Sequence, residues 1–405
     1  MSTLQERLRS SGPGIGLALV LVVIAFLYPK YVESLGDLPA IGDFIPSVDS
    51  MVIMIVFTMM AVGLNIVVGY AGLLDLGYVA FYAAGAYTSA WFASQQFDQW
   101  TFHFGSVGIS KELPGIHLSI WLVLVIAGLF TAMAGILIGL PTLRLRGDYL
   151  AIVTLGFGEI IPQVVRNGDN VFGFDLTHGT FGISPIDSPG FGSAGESLGL
   201  PLSYQQSFDR AQWFYWTALA LLLLTVFCST QLRDSRLGRA WIAIREDETA
   251  AAAMGVPLMR TKTWSYAIGA FFGGVAGAFY ASFRSGAFPA DFYFNFSIFL
   301  LCMVILGGMG SIWGVILGGM ILGYLNVEGL ATLGSELQGA GIDFDPTKYQ
   351  FGFYGIIIVL MMLFRPTGLI PERRHKRELE LGVADTPLYD VTHEGSDTDR
   401  EPRND

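Results

Sequence analysis

Two acidic residues within long apolar runs are the clearest candidates for chemistry in this sequence. Asp75 follows the glycine-rich stretch Gly69–Gly72, and Glu159 lies within another apolar run. A charge in the hydrocarbon of a bilayer costs at least roughly 2.5–3.5 kcal/mol, so each carboxylate should face protein or water. Together with Asn65 and Tyr78, which flank the glycine-rich stretch, they are candidates for a substrate path. A structural hydrogen bond is the simpler explanation for either acid.

Residue patterns for metal binding or covalent catalysis are absent from the sequence. Cys228 and Cys302 lie in apolar runs, and the five histidines show no ligand spacing, so no metal site is predicted. No G-x-x-x-x-G-K-[ST] segment predicts a nucleotide-binding loop, and no G-x-S-x-G or H-E-x-x-H segment predicts a hydrolase. The chain is therefore not expected to be an enzyme or to hold a cofactor. Any energy source must come from another subunit or from an ion gradient.

The polar segment 237–257 is the next feature that could have a function. Its four alanines, Ala250 to Ala253, favour a helix, while Gly255 can adopt a left-handed conformation and Pro257 ends the helix just beyond it. The predicted helix, 239–255, is too polar to cross a membrane and should lie at its cytoplasmic face. It is either a docking helix for a partner or an ordinary connector. Its candidate contact residues are Arg245, Glu246, Asp247, Glu248, Ala251, Ala252 and Gly255.

The elements that must position these residues are membrane-spanning helices. The chain has 405 residues, of which 52% are hydrophobic and only 14% charged, against roughly 25% charged in soluble domains. Apolar runs of about 17–25 residues match the thickness of a bilayer, and helices satisfy their backbone polar groups internally. The sequence predicts an all-α integral membrane protein, a polytopic bundle of about ten transmembrane helices. The predicted spans are residues 14–30, 51–68, 72–93, 118–140, 149–166, 212–232, 263–283, 293–308, 311–328 and 349–364.

Clusters of glycine suggest that some of these helices are broken. One cluster lies at residues 69–85 and another at 307–319. Paired glycine-rich interruptions in transporters mark broken helices near a substrate path, whereas the alternative is close helix packing. If 72–93 and the pair 293–328 are re-entrant or broken, the count falls to eight or nine.

The distribution of basic residues predicts the orientation of the chain. With a cytoplasmic N-terminus, segments facing the cytoplasm carry 17 of the 23 Lys and Arg residues, as the positive-inside rule requires. This bias is coherent only for an even number of spans, so both termini should be cytoplasmic. Residues 1–370 then form a transmembrane permease domain with a coupling loop at 237–262.

Residues 371–405 are predicted to be a cytoplasmic polar tail. The tail begins with the basic cluster 373–377, which should contact anionic lipid. Its low apolar content predicts disorder beyond about residue 382. The net charge of -11 arises from acidic loops and this tail, and nothing in it predicts nucleic-acid binding.

Four segments in order resemble one family of permeases. They are Gly63–Gly77 (GLNIVVGYAGLLDLG), Leu143–Gly158 (LRLRGDYLAIVTLGFG), the polar segment Gly238–Gly255, and Val304–Gly314 (VILGGMGSIWG). The pattern, which covers roughly residues 50–370, resembles the branched-chain amino acid permease family of the LivM type. Residues 167–210 and the tail beyond 380 lie outside the resemblance.

The resemblance implies a membrane subunit of an ABC importer for branched-chain amino acids in a bacterial-type plasma membrane. Its implied partners are a second permease subunit, two cytoplasmic ATPase subunits that dock on the 239–255 helix, and an extracytoplasmic substrate-binding protein. Permeases for urea and short amides share much of this pattern, so they remain an alternative. An ion-coupled secondary transporter is another, but it should carry more ionisable groups at mid-membrane.

Overall fold

The computed structural model describes residues 12–36, 44–108, 112–145, 147–171, 173–192, 200–207, 209–339 and 341–371. The basic cluster at 373–377 and the predicted disorder of the tail lie outside these residues.

The described chain is mostly helical. The α-helices are α1 (Gly12–Gly36), α2 (Val48–Asn65), α3 (Val79–Phe92), α4 (Ile120–Thr142), α5 (Asp148–Arg166), α6 (Arg210–Asp234), α7 (Arg236–Glu246), α8 (Glu248–Ala253), α9 (Leu258–Arg284), α10 (Phe294–Gly307), α11 (Ile312–Tyr324), α12 (Leu330–Gly339) and α13 (Gln350–Phe364). Two π-helical stretches, Ile66–Tyr70 and Leu325–Gly329, continue helices α2 and α11.

Serine residues set the start of several helices. The side chains of Ser47, Ser235 and Ser311 accept hydrogen bonds from backbone N–H groups in the first turns of α2, α7 and α11. Such caps satisfy donors that have no partner within the helix. Helix α9 ends at Arg284 and is followed by Ser285, which adopts a positive φ of 54°.

Eight stretches of the described chain are long and apolar enough to cross a membrane. They correspond to eight of the ten predicted spans, so the predicted helical membrane fold is confirmed and the count of ten is approximate. Of the other two, α1 has a shorter apolar stretch, Val20–Val32. The predicted span 72–93 is a 14-residue helix, α3, because residues 71–78 before it are not helical.

Helices α2 and α9 form the centre of the bundle. Of the apolar windows in these two stretches, 89% of the residues are buried, against 6% in the stretch that contains α13. Glycines allow this close packing: an added Cβ on Gly269 of α9 would lie 2.5 Å from Val67, and one on Gly85 of α3 would lie 2.1 Å from the carbonyl oxygen of Gly274. Small residues at such contacts let helix backbones approach closely in lipid.

A small three-stranded sheet covers one end of the bundle. The all-α prediction did not include this sheet. Strands β1 (Ala93–Ser94) and β2 (Thr101–Phe104) both pair with β3 (Gly115–Leu118), the first antiparallel and the second parallel. His117 of β3 pairs with Asp187 through Nδ1 and Oδ2, 2.8 Å apart. Burial raises the pKa of Asp187 to about 6. Helices α7 and α8 lie at the opposite end, where α6 ends and α9 begins.

Candidate translocation and coupling site

Two glycine-rich interruptions of the helices meet inside the bundle. The first break, residues 71–78, separates the π-helical end of α2 from α3, and the second break, residues 308–311, separates α10 from α11. The backbone N–H of Gly310 donates to Oδ1 of Asn65, at 2.9 Å. A Cβ on Gly69 would lie 2.6 Å from the same Gly310 nitrogen. The end of α2 that leads into the first break therefore touches the second break, although the two are far apart in the sequence.

The amide of Asn65 is fully buried at this junction. Its Oδ1 accepts the bond from Gly310, while its Nδ2 has no hydrogen-bond partner among the described residues. A buried polar group without a partner is costly, and within the described chain the Asn65 carboxamide is held at this position by its bond to Gly310 alone.

Tyr78 ends the first break and fits into a gap between α2 and α9. Its hydroxyl donates to the carbonyl oxygen of Gly269, at 2.8 Å. The gap exists because position 63 is glycine: a Cβ there would lie 2.3 Å from the Tyr78 hydroxyl. The tyrosine therefore fastens the entry of α3 to the central helices.

Asp75 holds the shape of the first break. The residue is fully buried, and its Oδ1 accepts a hydrogen bond from the backbone N–H of Gly77, at 2.9 Å. The neighbouring N–H of Leu76 donates to Oγ1 of Thr154 on α5, at 3.0 Å. A Cβ on Gly77 would lie 2.4 Å from the Thr154 carbonyl oxygen. In this conformation Asp75 makes a structural hydrogen bond, which is the simpler of the two roles considered for it from the sequence.

The polar segment forms two helices, so the predicted single helix over 239–255 is wrong. Asp247 is extended, with φ −153° and ψ 110°, and it separates α7 from α8. Its carboxylate caps α8 by accepting from the backbone N–H groups of Thr249 and Ala250, at 2.7 and 3.0 Å. An aspartate that caps a new helix outweighs the helix propensity of the flanking sequence. Beyond α8, Gly255 has the expected positive φ, 84°.

Arg245 of α7 lies against the first break. Its Nη1 donates to the carbonyl oxygen of Gly69, at 2.5 Å. Its Cγ would lie 2.9 Å from a Cβ on Gly72, a residue with φ +68°. Because residue 72 is glycine, the Arg245 side chain can pack directly against the backbone there. One coupling candidate therefore contacts the glycine-rich stretch that Asn65 and Tyr78 flank, although the two regions are far apart in the sequence.

Other predicted contact residues make bonds within the chain. Glu248 forms an ion pair with Lys262 of α9, with Oε1 and Nζ 2.8 Å apart, and the Lys262 side chain is 4% exposed. Ala251 is buried, whereas Glu246, Ala252 and Gly255 are exposed. The ion pair was missed by sequence reasoning, although a lysine that opens a long apolar helix signals the need for a nearby acid.

Glu159 lies apart from this junction. It is exposed on α5, on the side of that helix away from Thr154. The structure therefore brings Asn65, Asp75 and Tyr78 together around the first break and leaves Glu159 on a different surface.

A family model and individual known proteins both match this chain, and all of the matches are permeases. The family described as branched-chain amino acid transport system, permease component, matches residues 47–362, a range that contains both breaks, α7 and α8. The high-affinity branched-chain amino acid transport system permease protein LivM of Escherichia coli K12 is 38% identical over 352 residues, 84% of this chain and 73% of that protein. LivM of Salmonella typhimurium LT2 is 37% identical over 380 residues, 90% of this chain and 77% of that protein.

A second type of permease is more distantly similar. LivH of Salmonella typhimurium LT2 is 25% identical over 331 residues, 78% of this chain and 91% of that protein. No solved structure matches the chain.

Proposed function

The chain belongs to the branched-chain amino acid transport system permease family, and we propose that it is the membrane-spanning permease subunit of an ABC importer for branched-chain amino acids. In this proposal, partner subunits hydrolyse ATP and this chain opens and closes the path. The observation that carries the proposal is the contact of Arg245 of α7 with Gly69 and Gly72, where the first break begins. A segment that docks an ATPase needs such a direct connection to the path it controls.

The proposed mechanism uses the junction of the two breaks as the moving part. The exposed surface of α7, α8 and the turn that follows α8, which includes Glu246, Ala252 and Gly255, receives the ATPase. Movement of α7 then reaches the Gly69 carbonyl through Arg245, and the junction of Asn65 with Gly310 changes with it. The partner shifts the balance between outward and inward access only to the extent that it binds one of the two states more tightly.

The proposal includes three kinds of partner and an orientation. The relatives include both LivM and LivH proteins, which supports pairing with a second permease subunit of the same family. Two cytoplasmic ATPase subunits and an extracytoplasmic substrate-binding protein complete the importer in the plasma membrane. The excess of basic residues in one set of loops supports an orientation with both termini, and the end that carries α7 and α8, in the cytoplasm.

Reconstitution with the partner subunits tests this function. Liposomes that contain the complex and ATP on the ATPase side should take up leucine, isoleucine and valine when the loaded binding protein is on the other side. Uptake of urea or acetamide instead would support the alternative substrates. Uptake that is driven by an ion gradient in the absence of the ATPase subunits would identify a secondary transporter and contradict the proposal.

A further inference from the structure

One face of α5 is left uncovered by the described part of the chain, and it carries two unlike rows of residues. Glu159 and Gln163 are four positions apart, and both are exposed. Beside them run Ile152, Ile160 and Val164, which are 64%, 53% and 55% exposed. Residues four apart lie above one another on a helix, so a polar row stands next to an aliphatic row.

The exposed face of α4 is different, although α4 is also a candidate span. Every exposed residue on α4 is apolar, with Leu129, Met133 and Leu137 at its centre. Such a face suits the acyl chains of lipid. A carboxylate and a carboxamide in the last two turns of α5, which ends at Arg166, do not, because each polar group is costly in hydrocarbon without a partner. The α5 face therefore needs water or polar groups in front of it.

The opposite side of α5 is tied to the first break. Thr154 accepts the hydrogen bond from Leu76, and a Cβ on Gly158 would lie 3.2 Å from the Leu76 carbonyl oxygen. Movement of the first break thus reaches α5 directly. In front of the exposed face is an open groove of about 650 Å³, which is lined by Glu159, Ile160, Gln163, Val164, Asn167 and Val171.

The chemistry of this groove matches an amino acid with a branched side chain. Such a substrate has an ammonium group, a carboxylate and an aliphatic group on neighbouring atoms. The Glu159 carboxylate can accept hydrogen bonds from an ammonium group, and the Gln163 carboxamide can donate to a carboxylate. Ile160 and Val164 offer apolar contact immediately beside them.

We propose that the exposed face of α5 is this subunit's wall of the substrate path, where Glu159 binds the α-ammonium group, Gln163 binds the α-carboxylate and Ile160 and Val164 contact the branched side chain. This inference rests on the proposed function and adds the groups that recognise the substrate. The second permease subunit closes the path opposite this face.

Cysteine accessibility in the assembled importer tests the inference. The parent carries Cys228→Ser and Cys302→Ala, and single cysteines replace Ile152, Gly156, Glu159 or Gln163 on the proposed wall. Matched controls replace Leu129 and Leu137 on α4. We expect a water-soluble cationic thiosulfonate reagent to modify the α5 positions at least about tenfold faster than the α4 positions, because only water carries this reagent to the protein. Loaded binding protein and ATP should change the α5 rates.

Two results would overturn the inference. If only a lipid-soluble maleimide modifies the α5 positions, as on α4, then the face contacts lipid. If neither reagent reacts on α5, then a partner covers the face without water. The parent without added cysteines must still import leucine with ATP: failure there counts against the proposed function, whereas intact import with unreactive α5 positions counts against this inference alone.

The role of Glu159 has its own measurement. With cysteine at position 163, the cationic reagent should react about tenfold faster than an anionic reagent of the same size, because the Glu159 carboxylate attracts one and repels the other. Glu159→Gln should abolish this preference, and Asp169→Asn, which removes an exposed carboxylate outside the helix, should leave it unchanged. A preference that survives Glu159→Gln would exclude Glu159 as the ammonium-binding group.

Discussion

The two breaks differ in what holds them. The second break is braced by backbone: after α13, the N–H groups of Leu369 and Ile370 donate to the carbonyl oxygens of Leu306 and Gly307, at 3.0 and 3.1 Å. The first break is held mainly through side chains, those of Tyr78, Thr154 and Arg245. Backbone pairing leaves little freedom, whereas a long arginine side chain can follow a helix that moves. We therefore expect the second break to be the fixed side of the junction and the first break to be the side that responds to α7.

The largest effect should come from disturbing the fixed side. A Cβ on Gly368 would lie 2.3 Å from the Gly308 Cα, and Gly368 has φ +85°. We expect Gly368→Val to lower the unfolding free energy by about 2–5 kcal/mol, from backbone strain and overpacking. The yield and thermal midpoint of detergent-purified protein measure this. Gly352→Val, at a position with no atom within 4 Å of an added Cβ, is the control, and equal stability of the two variants would contradict a fixed second break.

The anchoring of α8 gives the next largest effect. Glu248→Arg would set a second cation against the buried Lys262, and we expect a loss of about 3 kcal/mol of stability, as for other broken buried pairs. Glu246→Arg, which reverses an exposed charge two residues away at the end of α7, should leave stability unchanged and weaken only recovery of the ATPase in pull-down. If Glu248→Arg is as stable as the parent and loses only ATPase binding, then the ion pair does not anchor α8.

Loss of the hydrogen bond between Asn65 and Gly310 should lower stability by more than one ordinary hydrogen bond contributes. Asn65→Ala leaves the buried N–H of Gly310 without its acceptor, at a cost of about 1–3 kcal/mol. Asn65→Asp keeps an acceptor oxygen at the same position. The new carboxylate should still accept from the N–H of Gly310, but its charge would be buried without a partner. Thermal midpoints and uptake rates of both variants measure the effect. Normal uptake by Asn65→Ala would show that the breaks move independently.

The smallest effect on stability should accompany a clear effect on transport. Arg245→Ala removes the contact with Gly69 and should change the unfolding free energy by less than about 1 kcal/mol. We expect ATP-driven uptake to fall about tenfold, equivalent to ~1.4 kcal/mol, while the ATPase still binds. Arg239→Ala, on the same helix and exposed, is the control. Loss of ATPase binding by Arg245→Ala alone would instead assign the residue to the docking surface.

The spans and breaks were readable from the sequence, because apolar length and glycine clusters are local signals. Eight predicted spans match helices, and the clusters at Gly69–Gly72 and Gly307–Gly310 mark the two breaks. The partners of individual side chains were not readable. Nothing near Asn65 in the sequence points to Gly310, and nothing near Glu248 points to Lys262 except the rule that a buried cation needs an acid.

The exposed face of α5 could be predicted from the sequence only in part. The spacing of Glu159 and Gln163 is visible in the sequence and predicts a shared face. The opposite face of α5 is buried because Thr154 and Gly158 pack against the first break. This is a tertiary contact, which the spacing of residues in the sequence does not reveal. The short strands were missed because β1 has two residues and β2 and β3 have four each, too few for a readable alternation.

The extended residue Asp247 divides the segment between α6 and α9 into two short helices that are attached to different parts of the bundle. Helix α7 reaches the end of α2 through Arg245 and Gly69, and α8 is paired with α9 through Glu248 and Lys262. A partner that binds both short helices would therefore act on both central helices at once, pulling on α2 through one and on α9 through the other.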